Sequence, residues 1–415
     1  MLDFADSAGD FDVANQSFSS ESTGVAPATG RCRLARPNIG DLLPVYVYDE
    51  YKGFTAKRFV DLAQDELDRY VASNADALRT AIAMHRPRAI FVNHEVMGPY
   101  IAKLATEGSL PYVVMLHGSA LEYVVGVDDR YVPYAQEGLA AAKAVVGGSH
   151  YMVERASSVV AGWSDKAVVV NPGTDVDLFS PADEREVDAP IAGFVGKLIT
   201  AKGPQNLLAA IGLTRTPDLR TVFVGYGGFQ DEMRELAALL QKGRLDTVRE
   251  LAREGDGSPL EHVLRFLDKL EGEPEDVRRA YLERMAVVPV EFTGRLEHGP
   301  LSRTLPGWDV LVVPSIVPEA FGMVAAEAAA SGVMPVVPGH SGIAEAGAAV
   351  EQAIGRPGFL TYDPASPVEG IAEALDRVLT VPRAERRDMG RIAADLAHAT
   401  WSWERVGERL LEVGS

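Results

Sequence analysis

The sequence predicts an α/β fold built twice. Short, largely apolar runs recur along the chain, among them AIFVN at residues 89–93, YVVML at 112–116 and IAGFV at 191–195. Most are followed by a stretch with helical periodicity, and the alternation restarts after a short acidic stretch, residues 181–190. Strands that alternate with helices imply right-handed βαβ units and parallel sheets covered on both faces.

Taken in order, residues 1–41 scatter Ser, Gly, Asp and Pro among few apolar residues and read as loop or extended arm. Residues 45–48 read as a short strand. Residues 59–85 carry Leu62, Leu67, Tyr70, Val71, Leu78 and Ile82 near helical spacing, which predicts one long amphipathic helix ended by Pro87. Then follow strand 89–93, helix 97–106, strand 112–116, helix 134–142, strand 144–146, helix 150–160 and strand 166–170. The turn-rich stretch NPGTDVDLFS (171–180) closes a first domain over 1–180. The second domain, 181–395, opens with strand 191–195, helix 204–211, strand 220–224 and helix 229–241. Residues 243–285 are charged and helical in pattern, broken by Gly255, Gly257, Pro259 and Pro274, and read as a helical insertion. Strand 288–292 resumes the sheet. Residues 368–379 and 383–413 are terminal helices carrying Trp401 and Trp403.

The stretch from 310 to 345 organises the second half. It reads strand, loop, helix, strand, loop. Pro314 and Pro318 break the first strand, since proline lacks a backbone donor. An Ala-rich helix runs from about Phe321 to Ala330, and Gly332 lies just past its end. The helix start at Phe321, Gly322 and Met323 directs free N–H groups at the loop, a favourable place for a phosphate. Glu319 stands in the loop and Glu327 in the helix.

With 415 residues and a formal net charge of −19, the chain has ample core-forming material and an unsuitable charge for a nucleic-acid backbone or an anionic membrane. One cysteine, Cys32, leaves no intrachain disulfide and no cysteine-cluster zinc site, which fits a reducing cytoplasm. No signal peptide and no apolar run of membrane-spanning length is visible.

Ligands in doubled α/β folds bind at the carboxyl ends of the strands, in a crevice between sheets. Gly196-Lys197 with Lys202-Gly203 occupies a strand-to-helix turn suited to a diphosphate, although two solvated lysines on a loop would look the same. Gly225-Tyr226-Gly227-Gly228 reads as a tight structural turn rather than a dinucleotide fingerprint, because Gln230 holds the last glycine position. His117 emerges after YVVML as either a ligand-facing or a structural histidine; Asn93-His94 shares that placement. His298 and His340 read as surface loop residues. No metal-ligand cluster appears.

Together these motifs resemble the retaining GT-B glycosyltransferases of family 4, over roughly residue 89 to the C-terminus. EAFGMVAAE resembles the family's E-x7-E motif through Glu319 and Glu327. GKLITAKG is similar to its G-R-L-x-x-x-K-G phosphate motif, with Lys197 where arginine is usual, an exchange that removes a bidentate fork. NPGTDVDLFSP, VEFTGRL and SGIAE resemble the linker, base-binding and GGxxE motifs, the last with Ser341 for the first glycine. The resemblance implies two Rossmann-like domains facing a cleft, with residues 396–415 packing back on the first. It implies that Lys197 and Lys202 neutralise the donor diphosphate, and that Gly196, Phe321, Gly322 and Met323 border it. It further implies that Glu327 binds the ribose hydroxyls and that the backbone near Arg295 and Leu296 holds the base. Glu319 and His117 would meet the donor sugar. The expected reaction moves a sugar from a UDP- or GDP-type donor to a small-molecule, glycan or lipid acceptor, with retention and without a protein-held metal. A GT-B epimerase or hydrolase, or a catalytically silent nucleotide-sugar-binding protein, stays open, with a NAD enzyme last. The family begins with a strand, a glycine-rich loop and a helix; residues 1–41 carry no such unit.

Overall fold

The structure is a computed structural model, and it describes residues 8–12, 17–19, 31–35, 39–40, 42–47, 55–182 and 189–415. Tyr48 and residues 183–188 of the acidic stretch lie outside the described residues. The strands are β1 (Ala8–Asp12), β2 (Ser17–Ser19), β3 (Arg31–Ala35), β4 (Leu42–Val45), β5 (Thr55–Arg58), β6 (Ile90–Asn93), β7 (Tyr112–Met115), β8 (Ala144–Gly147), β9 (Ala167–Val169), β10 (Ile191–Val195), β11 (Arg220–Val224), β12 (Val290–Gly294), β13 (Val310–Val312), β14 (Met334–Pro338) and β15 (Thr361–Tyr362). The helices are α1 (Gln64–His85), α2 (Gly98–Thr106), α3 (Val132–Ala141), α4 (His150–Val159), α5 (Pro204–Ala210), α6 (Gln230–Gln241), α7 (Leu245–Glu254), α8 (Glu261–Gly272), α9 (Glu275–Val287), α10 (His298–Thr304), α11 (Met323–Ala330), α12 (Ser341–Ala353), α13 (Pro367–Leu379), α14 (Arg383–Thr400) and α15 (Trp403–Gly414).

The chain divides into two units. The first comprises Met1–Gly147, Val153–Val168 and Leu411–Ser415. Its main sheet has the order β6-β7-β8-β9, and β6, β7 and β8 pair in parallel. All four residues of β8 are buried, as a strand covered on both faces requires. A separate pair, β4 and β5, is also parallel. The N-terminal stretch read as loop contains instead a small antiparallel sheet, β2-β1-β3. Those strands have one to three apolar residues each, too few for an alternation signal.

The second unit comprises Gly148–Met152 and Val169–Leu410. Its six-stranded sheet, β12-β11-β10-β13-β14-β15, is parallel throughout. In β10 the glycine of IAGFV is a packing requirement: a Cβ on Gly193 would lie 2.1 Å from the Trp308 ring. Phe223 stacks on Phe292 at 5.0 Å, tying β11 to β12. The insertion between those strands is three helices, α7 to α9, whose Val248, Ala252, Val263, Phe266, Tyr281 and Met285 join the unit's core. The terminal helical region breaks at Trp401, whose indole packs edge-on against Phe321 at 5.6 Å, just ahead of α11.

Candidate active site

In the second unit, three strand ends are sewn together by backbone hydrogen bonds. The Gly196 N–H donates to Val224 O at 3.0 Å, Leu198 N–H to Tyr226 O at 2.8 Å and Gly225 N–H to Gly294 O at 2.9 Å. Gly225 has φ 154°, and a Cβ there would lie 1.8 Å from Gly196 O. The GYGG sequence is therefore a structural turn that lets three loops touch. Lys197 is exposed between Gly196 and the buried Leu198. Arg295 lies over the exposed Tyr226 ring at 5.2 Å and pairs with Glu297 at 2.9 Å, while Leu296 packs on the core.

The loop after β10 ends in one tight helical turn, Thr200–Lys202. Gly203 follows at φ 69°, where a Cβ would meet Pro314 O at 1.9 Å. The Ile316 N–H donates to Ala201 O at 3.0 Å. This close approach of the loops after β10 and β13 brings the Lys202 Nζ to 2.8 Å from Glu319 Oε1. Glu319 is itself fixed: its N–H donates to Ser341 Oγ at 3.0 Å, and its C=O accepts from the Gly342 N–H at 2.9 Å. His340, expected on the surface, completes this arrangement, its ring nitrogens 3.1 Å from Ser315 O and 3.0 Å from Ser341 Oγ. A carbonyl can only accept, so Nε2 donates to Ser315 O.

α11 begins at Met323, two residues later than the sequence suggests, because Gly322 takes φ 92° and stands at the N-cap. No side chain caps it, so its first amides remain available as donors. Phe321 is buried and offers backbone rather than side chain. Glu327 lies one turn into the helix and is only 7% exposed. Burial pushes its pKa up to about 7, and among the described residues its carboxyl has no hydrogen-bond partner. A lone buried carboxyl is costly in a core and is a candidate ligand-binding group. Glu345 serves the fold instead, accepting from the N–H groups of His150 and Tyr151 at 2.9 and 2.7 Å and so capping α4.

The raised pKa makes a testable prediction. The folded state binds the Glu327 proton more tightly than the unfolded chain, so stability falls as pH rises from about 4.5 to about 7. The cost is fully present above that window and absent below it. Replacing Glu327 by Gln is therefore expected to stabilise the chain at pH 8, by up to about 3 kcal/mol, and to do little at pH 4.5. Urea unfolding at the two pH values measures this.

The first unit holds His117 at the end of β7. Its Nε2 is 2.8 Å from Asn93 Oδ1, and its ring is 4.7 Å from that of His94. Burial lowers the His117 pKa and takes that of His94 to about 4, with His117 adding to the second shift. Sequence reasoning missed Glu95. It is 0% exposed, and its Oε1 accepts from the His117 and Gly118 N–H groups at 3.2 and 3.1 Å. Burial pushes the Glu95 pKa up against these donors. Glu95→Ala would strand two amides and is expected to destabilise by about 2 kcal/mol, whereas Glu95→Gln keeps an acceptor and costs less. Chemical denaturation of both variants checks this.

The profile of the family described as Family 4 Glycosyltransferase in conflict systems matches residues 139–410. The chain belongs to this family. A D-inositol 3-phosphate glycosyltransferase of Corynebacterium aurimucosum is 31% identical over 260 residues, covering 59% of this chain and 50% of the relative. A GDP-mannose-dependent mannosyltransferase of Corynebacterium glutamicum, acting on a monoacylated phosphatidylinositol monomannoside, is 25% identical over 58% of this chain and 54% of its own length. The chain thus spans about half the length of these relatives. Among solved structures, Anabaena HepE in complex with UDP aligns with a TM-score of 0.60 at 15% identity, covering 89% of this chain and 90% of HepE. Sucrose-phosphate synthase from Thermosynechococcus elongatus aligns at 0.56 with 21% identity, covering 89% and 84%. These likenesses and the two parallel sheets give this family 4 member the GT-B fold, with two Rossmann-like domains.

Within that fold, Glu319, Phe321, Gly322, Met323 and Glu327 lie on the loop after β13 and on α11, and Lys202 reaches Glu319 from the loop after β10. Gly196, Lys197, Arg295 and Leu296 stand on loops at the strand ends of the same sheet. His117 belongs to the first unit. Among the described residues, no helix is long and apolar enough to cross a membrane.

Proposed function

We propose that this chain transfers a sugar from a nucleoside-diphosphate sugar to an acceptor hydroxyl with retention of configuration. The observation that carries this reading is the Lys202–Glu319 pair at 2.8 Å beside the uncapped start of α11. It sets a flexible cation and free backbone donors next to one another, with a carboxylate that a sugar hydroxyl could take over. Lys202 and Lys197 hold the diphosphate, assisted by the α11 amides. The Glu327 carboxylate accepts from the ribose hydroxyls, and the backbone at Arg295 and Leu296 meets the base, with Tyr226 alongside. UDP in the complex of the Anabaena relative supports a donor of this class.

In the reaction, the bond from the anomeric carbon to the diphosphate oxygen breaks, with charge building on that oxygen and an oxocarbenium-like carbon forming. The acceptor oxygen attacks from the same face, and its proton passes to the departing phosphate oxygen. Lysines and helix amides stabilise the leaving group without a protein-held metal. Glu319 orients the donor sugar. The reducing cytoplasm suits a chain with one cysteine.

The test is incubation with UDP- and GDP-sugars and a panel of polyol, glycan and lipid acceptors, followed by product analysis. A new glycoside with the donor's anomeric configuration is expected. Nucleotide-sugar binding with no product from any acceptor would favour a silent binding protein, and release of free or epimerised sugar would favour the hydrolase or epimerase.

A further inference from the structure

The helical insertion reaches the proposed donor loop through Asp256. Thr200 opens the turn Thr200–Lys202, and the residue before it, Ile199, has no side chain able to cap. The missing acceptor comes from 56 residues away. Asp256 Oδ2 accepts from the Thr200 backbone N–H at 3.3 Å, and Asp256 Oδ1 accepts from the Thr200 hydroxyl at 2.9 Å. A carboxylate at the start of a helical turn satisfies an orphan amide and complements the turn's dipole.

Asp256 is presented by a loop shaped for it, between α7 and α8. Gly255 has φ 55° and ψ −140°, and a Cβ there would lie 2.0 Å from Ser258 O. Gly257 has φ 98°. Only glycine adopts such conformations readily. The loop is anchored where the Leu260 N–H donates to Ala252 O at 2.7 Å, and both of those residues are buried in the core. Gln205 Nε2 donates to Thr200 O at 3.1 Å from the opposite side. The turn is thus gripped at its first residue by the insertion and at its last by the Lys202–Glu319 pair.

We propose that Asp256 is a positioning residue for the donor-diphosphate loop: the insertion carries it to the turn Thr200–Lys202, which it caps, fixing the direction of Lys202. The inference rests on the donor reading above. It gives the three-helix insertion a role in that site, namely holding a phosphate-binding turn that its own sequence leaves uncapped.

Hydrogen–deuterium exchange of the ligand-free full chain, on peptides covering residues 198–204, tests the brace without using activity. Calorimetric titration with UDP and GDP tests its effect on the site. Asp256→Ala is expected to speed exchange in that segment and to weaken nucleoside-diphosphate binding about fivefold, the scale of a lost cap. Asp256→Asn is expected to stay near the parent in both, since asparagine caps as well as aspartate. Unchanged exchange in Asp256→Ala, with the parent binding nucleotide, would overturn the inference alone. Tighter binding in both variants would also overturn it, showing that Asp256 merely repels phosphate. A parent chain that binds neither nucleotide would overturn the donor reading, and the inference with it.

Discussion

Lys202→Ala is expected to lower kcat/KM for sugar transfer about 10²- to 10³-fold, mostly in kcat. The reason is electrostatic. A cation aimed where charge develops on the departing diphosphate acts more strongly on the transition state than on the bound donor, and loss of one such donor costs about 3 to 4 kcal/mol. The fold should hardly notice. The Lys202–Glu319 pair is partly solvated, with side-chain exposures of 36% and 16%, and pairs of that kind contribute about 1 kcal/mol or less to stability. Thermal unfolding should therefore stay within a few degrees of the parent while turnover collapses. Unaltered turnover in the variant would remove the lysine from the mechanism.

Gly203→Ala is expected to act the other way, through the backbone. At φ 69° an alanine costs about 1–2 kcal/mol by itself. Its Cβ would also sit 1.9 Å from the Pro314 carbonyl oxygen, a main-chain atom in a loop tied to its neighbours. Relief requires the loops after β10 and β13 to separate, which breaks the Ile316–Ala201 hydrogen bond and draws Lys202 away from Glu319. The variant should lose about 3 kcal/mol or more of stability, and nucleotide binding with it. Urea unfolding and UDP titration measure the two losses; a variant as stable as the parent would mean that the loops are not in contact as described.

Much of the second unit is legible in the sequence because buried parallel strands announce themselves. Ile191–Val195 and Arg220–Val224 have the bounds that their apolar runs predict, and the alanine run of α11 with its glycine stop is a local helix signal. The elements that sequence reasoning misses lack contrast. α12 opens with Ser341-Gly342 and carries Gly347 within it, so it reads as loop although it packs Ile343, Ala346 and Val350 into the core. β5 is TAKR, a strand defined only by its partner. In the site, motif order brings Lys202 and Glu319 together, but their contact spans 117 positions and has no local trace. The roles of His340 and Ser341 are hidden for the same reason: a histidine that bridges two loops looks like any loop histidine. Glu95 leaves a faint signal, a carboxylate two residues past an apolar strand and directly before the apolar Val96-Met97 pair. Gly255-Asp256-Gly257 signals a turn, and nothing in it names Thr200.

The cap that Glu345 places on α4 bears on how this chain can be taken apart. Residues Gly148–Met152 belong with the later half although they precede the linker, and besides the Glu345 contacts the Ser149 hydroxyl donates to Ala320 O at 2.5 Å. An excised second-unit fragment that starts at the linker would leave the Glu345 carboxylate and the Ala320 carbonyl, immediately before the Phe321–Met323 segment, without those donors. A truncation meant for crystallography or ligand screening should therefore carry this five-residue peptide along, supplied on the chain or added in trans.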